Sequence, residues 1–183
     1  MFAMQSFTKT RNLDTIDEIW FLEHPAVFTA GHASKSVHVL SDIDVVKSDR
    51  GGQITYHAPG QLIVYVLLDL IRKSITLKKL LVVLSESVIE LLATYNIIAH
   101  TINNAPGVYV NTSKICSIGL KITKGCSYHG LSLNVDMDLQ PFNKINPCGY
   151  VGLKMTQLSN FVNNINISNI AVQLSSILSS KLI

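Results

Sequence analysis

Three short stretches hold side chains able to do chemistry. "INPCGY" (145–150) sets Cys148 between Pro147 and Gly149. Proline fixes its own φ, and glycine admits backbone angles that other residues avoid, so the thiol is held on a sharp turn. Taken alone, that bracket suits either an inconsequential loop thiol or a mounted nucleophile. "RGGQITYHAPGQ" (50–61) is the densest polar cluster. Its Arg50-Gly51-Gly52 sets backbone N–H groups beside a guanidinium, a pairing able to hold a carbonyl, carboxylate or phosphate. Gln53 to Tyr56 reads as strand leading to His57, and Ala58-Pro59-Gly60 turns the chain. The third stretch, "KICSIGLKI" (114–122), places Lys114 at the end of an apolar face. A lysine there either snorkels outward or sits at the mouth of an apolar pocket, where desolvation lowers its pKa.

The elements that must position these groups follow from periodicity. "DEIWFLEHPAVFTAG" (17–31) reads as strand, turn and short strand, and "QLIVYVLLDL" (61–70) as a central strand buried on both faces. From Leu77 to Tyr95 the apolar residues recur at three-and-four spacing, which predicts an amphipathic helix capped by Thr76. A second such helix, with Ile170, Leu174, Ile177 and Leu178 inward and Ser168 as its cap, follows the Asn-rich loop "NFVNNINISNI". "GVYV" (107–110), "KICSIGLKI" and "CSYHGLSLNV" (126–135) read as strands, the last two joined at Thr123-Lys124-Gly125. Strict alternation puts Lys114, Cys116, Ile118, Leu120 and Ile122 on one face, with Cys116 a small core residue. Strands and helices in this order predict an α+β fold on a mixed, largely antiparallel sheet, expected as one domain over residues 1–183.

Composition narrows the function. Apolar residues make up 48% of the chain and charged residues 15%, enough for a core and against disorder. The net charge of +3 is spread without a dense basic run, so no nucleic-acid partner is expected. "LIVYVLLDLI" is too short to span a bilayer, and "MFAMQSFTKTR" lacks the features of a secretory signal. Neither a membrane nor secretion is therefore expected. Three cysteines with no CxxC pair fit free thiols in a reducing, cytoplasmic setting. Cys116, Cys126, His129 and Cys148 lack zinc-ligand spacing, so no metal is expected.

"RGGQITYHAPGQLIVYVLLDL" closely resembles the signature of lipoyl(octanoyl) transferases, usually R-G-G-x-x-T-Y-H-G-P-G-Q. The resemblance continues through "DEIWFLEHPAVFTAG", "APGVYV", "KICSIGLKI", "SYHGLSLNV" and "INPCGY", in order, over roughly the first 158 residues. It implies the α/β architecture shared with lipoate and biotin ligases, the chain wrapping about a mixed sheet. It further implies a cysteine–lysine acyltransferase, with Cys148 as nucleophile and Lys114, not Lys121, as its partner. The octanoyl-thioester site falls on Arg50, Gly51, Gly52, Gln53, Ile54, Thr55, Tyr56 and His57. Ser117, Ile118 and Gly119 join it, with Gly130, Leu131 and Ser132. The implied donor is octanoyl-acyl carrier protein, its acyl group carried on phosphopantetheine, and no further cofactor is expected. The implied acceptors are lipoyl domains of 2-oxoacid dehydrogenase complexes and the glycine cleavage H protein.

Two departures stand out. Ala58 replaces the usual glycine, which costs on the order of 1 kcal/mol if that position needs positive φ. The family's early edge strand also has no counterpart before "AMQSFTKTR", so that element is expected to be missing. An ATP-dependent lipoate–protein ligase of the same fold is the main rival, and "NPCGY" argues against it because adenylate chemistry needs no nucleophilic cysteine. A non-catalytic relic that only binds carrier protein or lipoyl domains is disfavoured by the presence of both Cys148 and Lys114.

Overall fold

A computed structural model describes residues 2–182. The strands are β1 (Glu18–Leu22), β2 (Val27–Ala30), β3 (Val45–Lys47), β4 (Ile54–His57), β5 (Gln61–Leu67), β6 (His100–Ile102), β7 (Ala105–Val110), β8 (Ser113–Thr123) and β9 (Cys126–Asn134). The helices are α1 (Phe2–Thr10), α2 (Leu77–Thr94) and α3 (Ile167–Leu182). Six strands form one fully antiparallel sheet in the order β1-β5-β9-β8-β7-β6. The mixed character lies in a separate three-stranded sheet, β3-β2-β4, where β2 runs parallel to β3 and antiparallel to β4.

The two-residue period of β5 divides the molecule. Leu62, Val64 and Val66 belong to the main core, where α2 and α3 bury Leu80, Leu84, Val88, Leu91, Ile170, Leu174 and Leu178. Ile63 and Tyr65 face the other way, into a cavity, and Leu67 packs beneath α1. The small sheet has its own core, with Ile54, Tyr56 and Ala58 against Phe142 and Ile145. The cavity lies between the large sheet, the small sheet and α1.

Local chemistry accounts for most boundaries. Thr76 Oγ1 accepts the Lys79 N–H at 3.2 Å and caps α2 as expected. The cap of α3 is Asn166, not Ser168: its Oδ1 accepts from the N–H groups of Ser168 and Asn169 at 2.9 and 3.2 Å. Asparagine places an acceptor at that reach as well as serine does, so the helix begins earlier than the apolar spacing alone suggested. The β8–β9 hairpin closes on Lys124 and Gly125, at φ 49 and 77, with Thr123 already paired to Cys126. Residues 2–10, which carried no structural expectation, form α1, packed on β5 and β9.

Candidate active site

Cys148 stands on a left-handed backbone position, φ 56 and ψ 14, and Gly149 follows at φ 79. Such a position costs a non-glycine residue roughly 1–2 kcal/mol, and such strain collects at functional sites. Backbone bonds hold it: Asn146 N–H to His38 O at 2.8 Å, Gly149 N–H to Asn146 O at 2.9 Å and Tyr150 N–H to Pro147 O at 3.1 Å. Pro147 is buried while the thiol stays half-buried at the cavity wall.

Lys114 reaches it through a fault in the sheet. Val108 pairs with Cys116 but Tyr109 pairs with Lys114, so β8 carries one extra residue, Ile115. A bulge of this kind re-aims side chains. Lys114 consequently leaves the face of Cys116 and joins that of Ser117, contrary to strict alternation. Lys114 Nζ lies 3.2 Å from Cys148 Sγ, and Ser117 Oγ lies 3.9 Å from the same sulfur. The lysine, 1% exposed, also donates to Pro106 O at 2.9 Å and sits 5.1 Å from the Tyr109 ring centroid. Burial works against its ammonium, but the Cys148 sulfur and Tyr109 outweigh that and raise the Lys114 pKa above its usual value. The lowered value expected from desolvation alone is therefore corrected by the partner sulfur. Cys116, by contrast, lies fully in the main core, where burial pushes its thiol up to about 12.

The cavity holds about 440 Å³. Arg50, Gly51, Gly52, Gln53, Ile54, Thr55 and His57 line it from the small sheet and its entry loop, and Ser117, Gly119, Gly130 and Ser132 from the large sheet. Ile118 and Leu131, directly paired across β8 and β9, border it while packing into the main core. Tyr56 does not reach it: strand alternation turns its ring onto Phe28 and Phe142 in the small core. Arg50 is no free anion grip either. Its guanidinium donates to the carbonyls of Gly51, Gln53 and Thr29 at 3.1, 2.8 and 2.7 Å, and to Thr29 Oγ1 at 2.8 Å. The Gly51 N–H is spent on Leu120 O at 2.9 Å. The Arg50 loop is thus stapled in place and shapes the cavity, with both guanidinium NH2 groups and the Gly51 N–H already bonded and the buried Arg50 Nε left without a partner. Ala58 avoids the left-handed region and packs in the small core, so the missing glycine carries no backbone penalty.

A polar cluster at the α1 side escaped the sequence reading. Asp49 accepts from Gln5 Nε2 at 3.0 Å, from Tyr128 OH and from His129 Nε2 at 2.8 Å. Although burial opposes ionisation, these bonds hold the Asp49 carboxyl down at about 2. Burial and the Asp49 charge push Tyr128 up to about 12. His24 Nε2 and Tyr65 OH lie 2.6 Å apart nearby. The one signal available in the sequence was the Tyr128-His129 pair itself, lying within a segment read as a strand.

Burial pushes His57 down to about 4, with the Arg50 charge acting the same way and its Gln61 bond opposing. Burial also lowers His129 and His24. The folded state therefore binds fewer protons than the unfolded chain between about 6.5 and 4, and stability is lost as pH falls through that window. For His57 the effect is on the order of 3 kcal/mol. Urea unfolding at pH 7 and pH 4.5 should show this loss, and His57→Gln should flatten the slope. An unchanged slope in that variant would assign the loss to other groups.

The model of the lipoyl protein ligase A/B catalytic domain matches residues 2–178. The octanoyltransferase of Psychromonas ingrahamii is 62% identical over 157 residues, 85% of this chain and 73% of that one. The octanoyltransferase of Photorhabdus laumondii is 52% identical over 170 residues, 92% of this chain and 80% of that one. Among solved structures, lipoate-protein ligase A bound with ATP superposes with a TM-score of 0.77 at 15% identity, covering 97% of this chain and 77% of that one. Biotin protein ligase from Aquifex aeolicus gives 0.55 at 16%, covering 84% and 68%. These two define the fold alone. The chain belongs to the lipoyl protein ligase A/B catalytic domain family, and within it groups with the octanoyltransferases. No helix among the described residues is long and apolar enough to cross a membrane.

Proposed function

We propose that this octanoyltransferase works through a thioester on Cys148, taking its acyl group from octanoyl-acyl carrier protein. The acceptor is the lysine of a lipoyl domain, on 2-oxoacid dehydrogenase complexes or the glycine cleavage H protein. The observation that carries this reading is Lys114 Nζ at 3.2 Å from Cys148 Sγ, at the wall of a cavity sized for a medium-chain acyl group.

The chemistry follows from the two opposing influences on Lys114. At rest its ammonium faces the Cys148 sulfur, the arrangement that suits a thiolate. The thiolate attacks the thioester carbon, the carbon–sulfur bond to pantetheine breaks, and the leaving thiolate takes a proton from Lys114. With the sulfur now acylated and neutral, the largest influence opposing the burial of Lys114 is gone and Tyr109 alone offsets it, so the Lys114 pKa falls and its amine is readied to accept a proton. The acceptor ε-amine then attacks, the bond to Cys148 breaks, and the amine's proton passes to Lys114. That restores the ammonium and the thiolate together. The Gly149 N–H is already spent on Asn146 O, so Ser117 Oγ, 3.9 Å from the sulfur and the next side-chain donor after Lys114, is the candidate for the oxyanion. A thioester exchanged for an amide runs downhill, so neither ATP nor another cofactor enters.

Intact-mass measurement after incubation with octanoyl-acyl carrier protein tests this directly. A hydroxylamine-labile octanoyl adduct is expected, lost in Cys148→Ser. Octanoylation that requires ATP, or transfer with Cys148 unmodified at every time point, would overturn it.

A further inference from the structure

The cavity is bounded on its α1 side by one methionine. Met4 is 1% exposed and lines the cavity, packed with Leu67 and Tyr128, with Tyr65 and Trp20 beside them. Its helix is latched at the next residue, where Gln5 Nε2 donates to Asp49, itself bonded by Tyr128 and His129. The β5–β9 ladder is interrupted nearby. β5 and β9 pair as far as Tyr65 and Gly130, then rejoin only at the Asp69–Cys126 bridge. His129, at φ 60, breaks the alternation there and puts its ring in a stack with Tyr128. Ser127 Oγ fills the gap in the ladder, accepting from Leu68 N–H at 3.2 Å and donating to Val66 O at 2.7 Å.

Register sets the distance from the sulfur to this end. Ser117, beside Cys148, pairs with Ser132, and Gly119 pairs with Gly130, which pairs with Tyr65. Passing from Ser117 to Tyr65 crosses two strand spacings and two residues, about 12 Å along the diagonal. Gly119 and Gly130 add no side chain to that path, whose wall over Gly119 is the Gly51 carbonyl and Arg50 Cδ, 3.0 and 3.5 Å from where a Cβ would stand. With carbon–carbon bonds of about 1.5 Å in a zigzag, eight carbons span about 9 Å. The last methyl then falls about 3 Å short of the Tyr65 row, which leaves no room for a further carbon before Met4, packed beside Tyr65.

We propose that Met4 is the end stop of the acyl channel and sets the length of straight-chain acyl group that the enzyme accepts, α1 being latched for that purpose to Asp49. The proposal rests on the acyl-thioester reading above. Acyl thioesters of six, eight, ten and twelve carbons, compared by kcat/KM, test it. Met4→Ala should raise the ten-carbon donor relative to the eight-carbon one by about fifteenfold, at about fourfold per methylene newly accommodated. Met4→Phe should shift preference toward six carbons. A parallel fall at all lengths would reduce Met4 to a packing residue and overturn the proposal.

A measurement on the unaltered enzyme covers the case in which Met4→Ala fails to fold. Alkyl methanethiosulfonates form mixed disulfides with Cys148 Sγ, releasing methanesulfinate, and so place alkylthio chains of chosen length there without any carrier protein. Trp20, the single tryptophan, packs in the Met4 cluster and reports on it by fluorescence. Chains up to seven carbons, which with the added sulfur match the reach of an octanoyl thioester, should leave its emission unchanged, and longer ones should shift it. A twelve-carbon chain that leaves Trp20 unaffected would overturn the end stop even if octanoyl transfer itself is intact. A failure of transfer in the unaltered enzyme would instead count against the thioester reading.

Discussion

Cys148→Ser is expected to lower octanoyl transfer by about four orders of magnitude, and Lys114→Met by about three. A serine hydroxyl keeps the position but ionises far above any value that a neighbouring ammonium can bring near neutrality. Lys114→Met keeps the length and apolar stem of the side chain while deleting the ammonium that lies 3.2 Å from the Cys148 sulfur and carries the proton in the proposed mechanism. The two losses should not add, because one proton and one charge are shared between them. The double variant should match Cys148→Ser within a factor of a few. Stability separates this from a packing effect. Lys114 is 1% exposed, and burying an ammonium costs free energy that a methionine does not. At Lys114 the contacts to Cys148, Tyr109 and Pro106 O offset that cost, so Lys114→Met should remain folded and melt near or moderately below the unaltered enzyme, while its kcat/KM collapses. Transfer within tenfold of the unaltered enzyme would remove Lys114 from the chemistry.

What could be read in the sequence was whatever lies contiguous along the chain. The apolar period of α2, its Thr76 cap, the β8–β9 hairpin and the Pro-Cys-Gly turn are local, and each is found in the fold. The site's geometry depends on pairings that no local pattern encodes. Lys114 faces Cys148 only because β7 slips by one residue against β8, and that slip is a property of two strands, not of "KICSIGLKI". Arg50 looked like a free anion grip because its acceptors on Thr29 and Gln53 come into place only when β2 and β4 pair. Asp49 and His129 are joined across 80 positions, with Gln5 bonded to the same carboxylate from α1. The resemblance supplied the pairing of Cys148 with Lys114, whereas only tertiary structure supplied the means. Lys114's pKa shows the same division: burial could be anticipated, but the stronger pull of the sulfur needed the distance.

Gly130→Ala should be among the most damaging single methyl additions in the protein. Gly130 lies in β9, between β5 and β8, where every residue of the strand is buried. A Cβ built there overlaps the Val64 carbonyl oxygen outright and comes within 3.3 Å of Val66 Cγ2. The obstacle is backbone of the central strand, which cannot move without breaking the β5–β9 ladder beside the Tyr65 pair. Overpacking of a core by side chains costs about 1–3 kcal/mol, and a backbone collision should exceed that, at roughly 4 kcal/mol or complete loss of folding. Gly152→Ala provides the contrast. Its φ of 74 is strained for alanine, yet nothing lies within 4 Å of the added methyl, so only the conformational cost of about 1–2 kcal/mol remains. Urea midpoints for the two variants separate steric from torsional cost. A loss below about 1 kcal/mol for Gly130→Ala would mean that β5 and β9 stand further apart at Gly130 than their pairing requires, and the floor of the acyl channel would have to be redrawn.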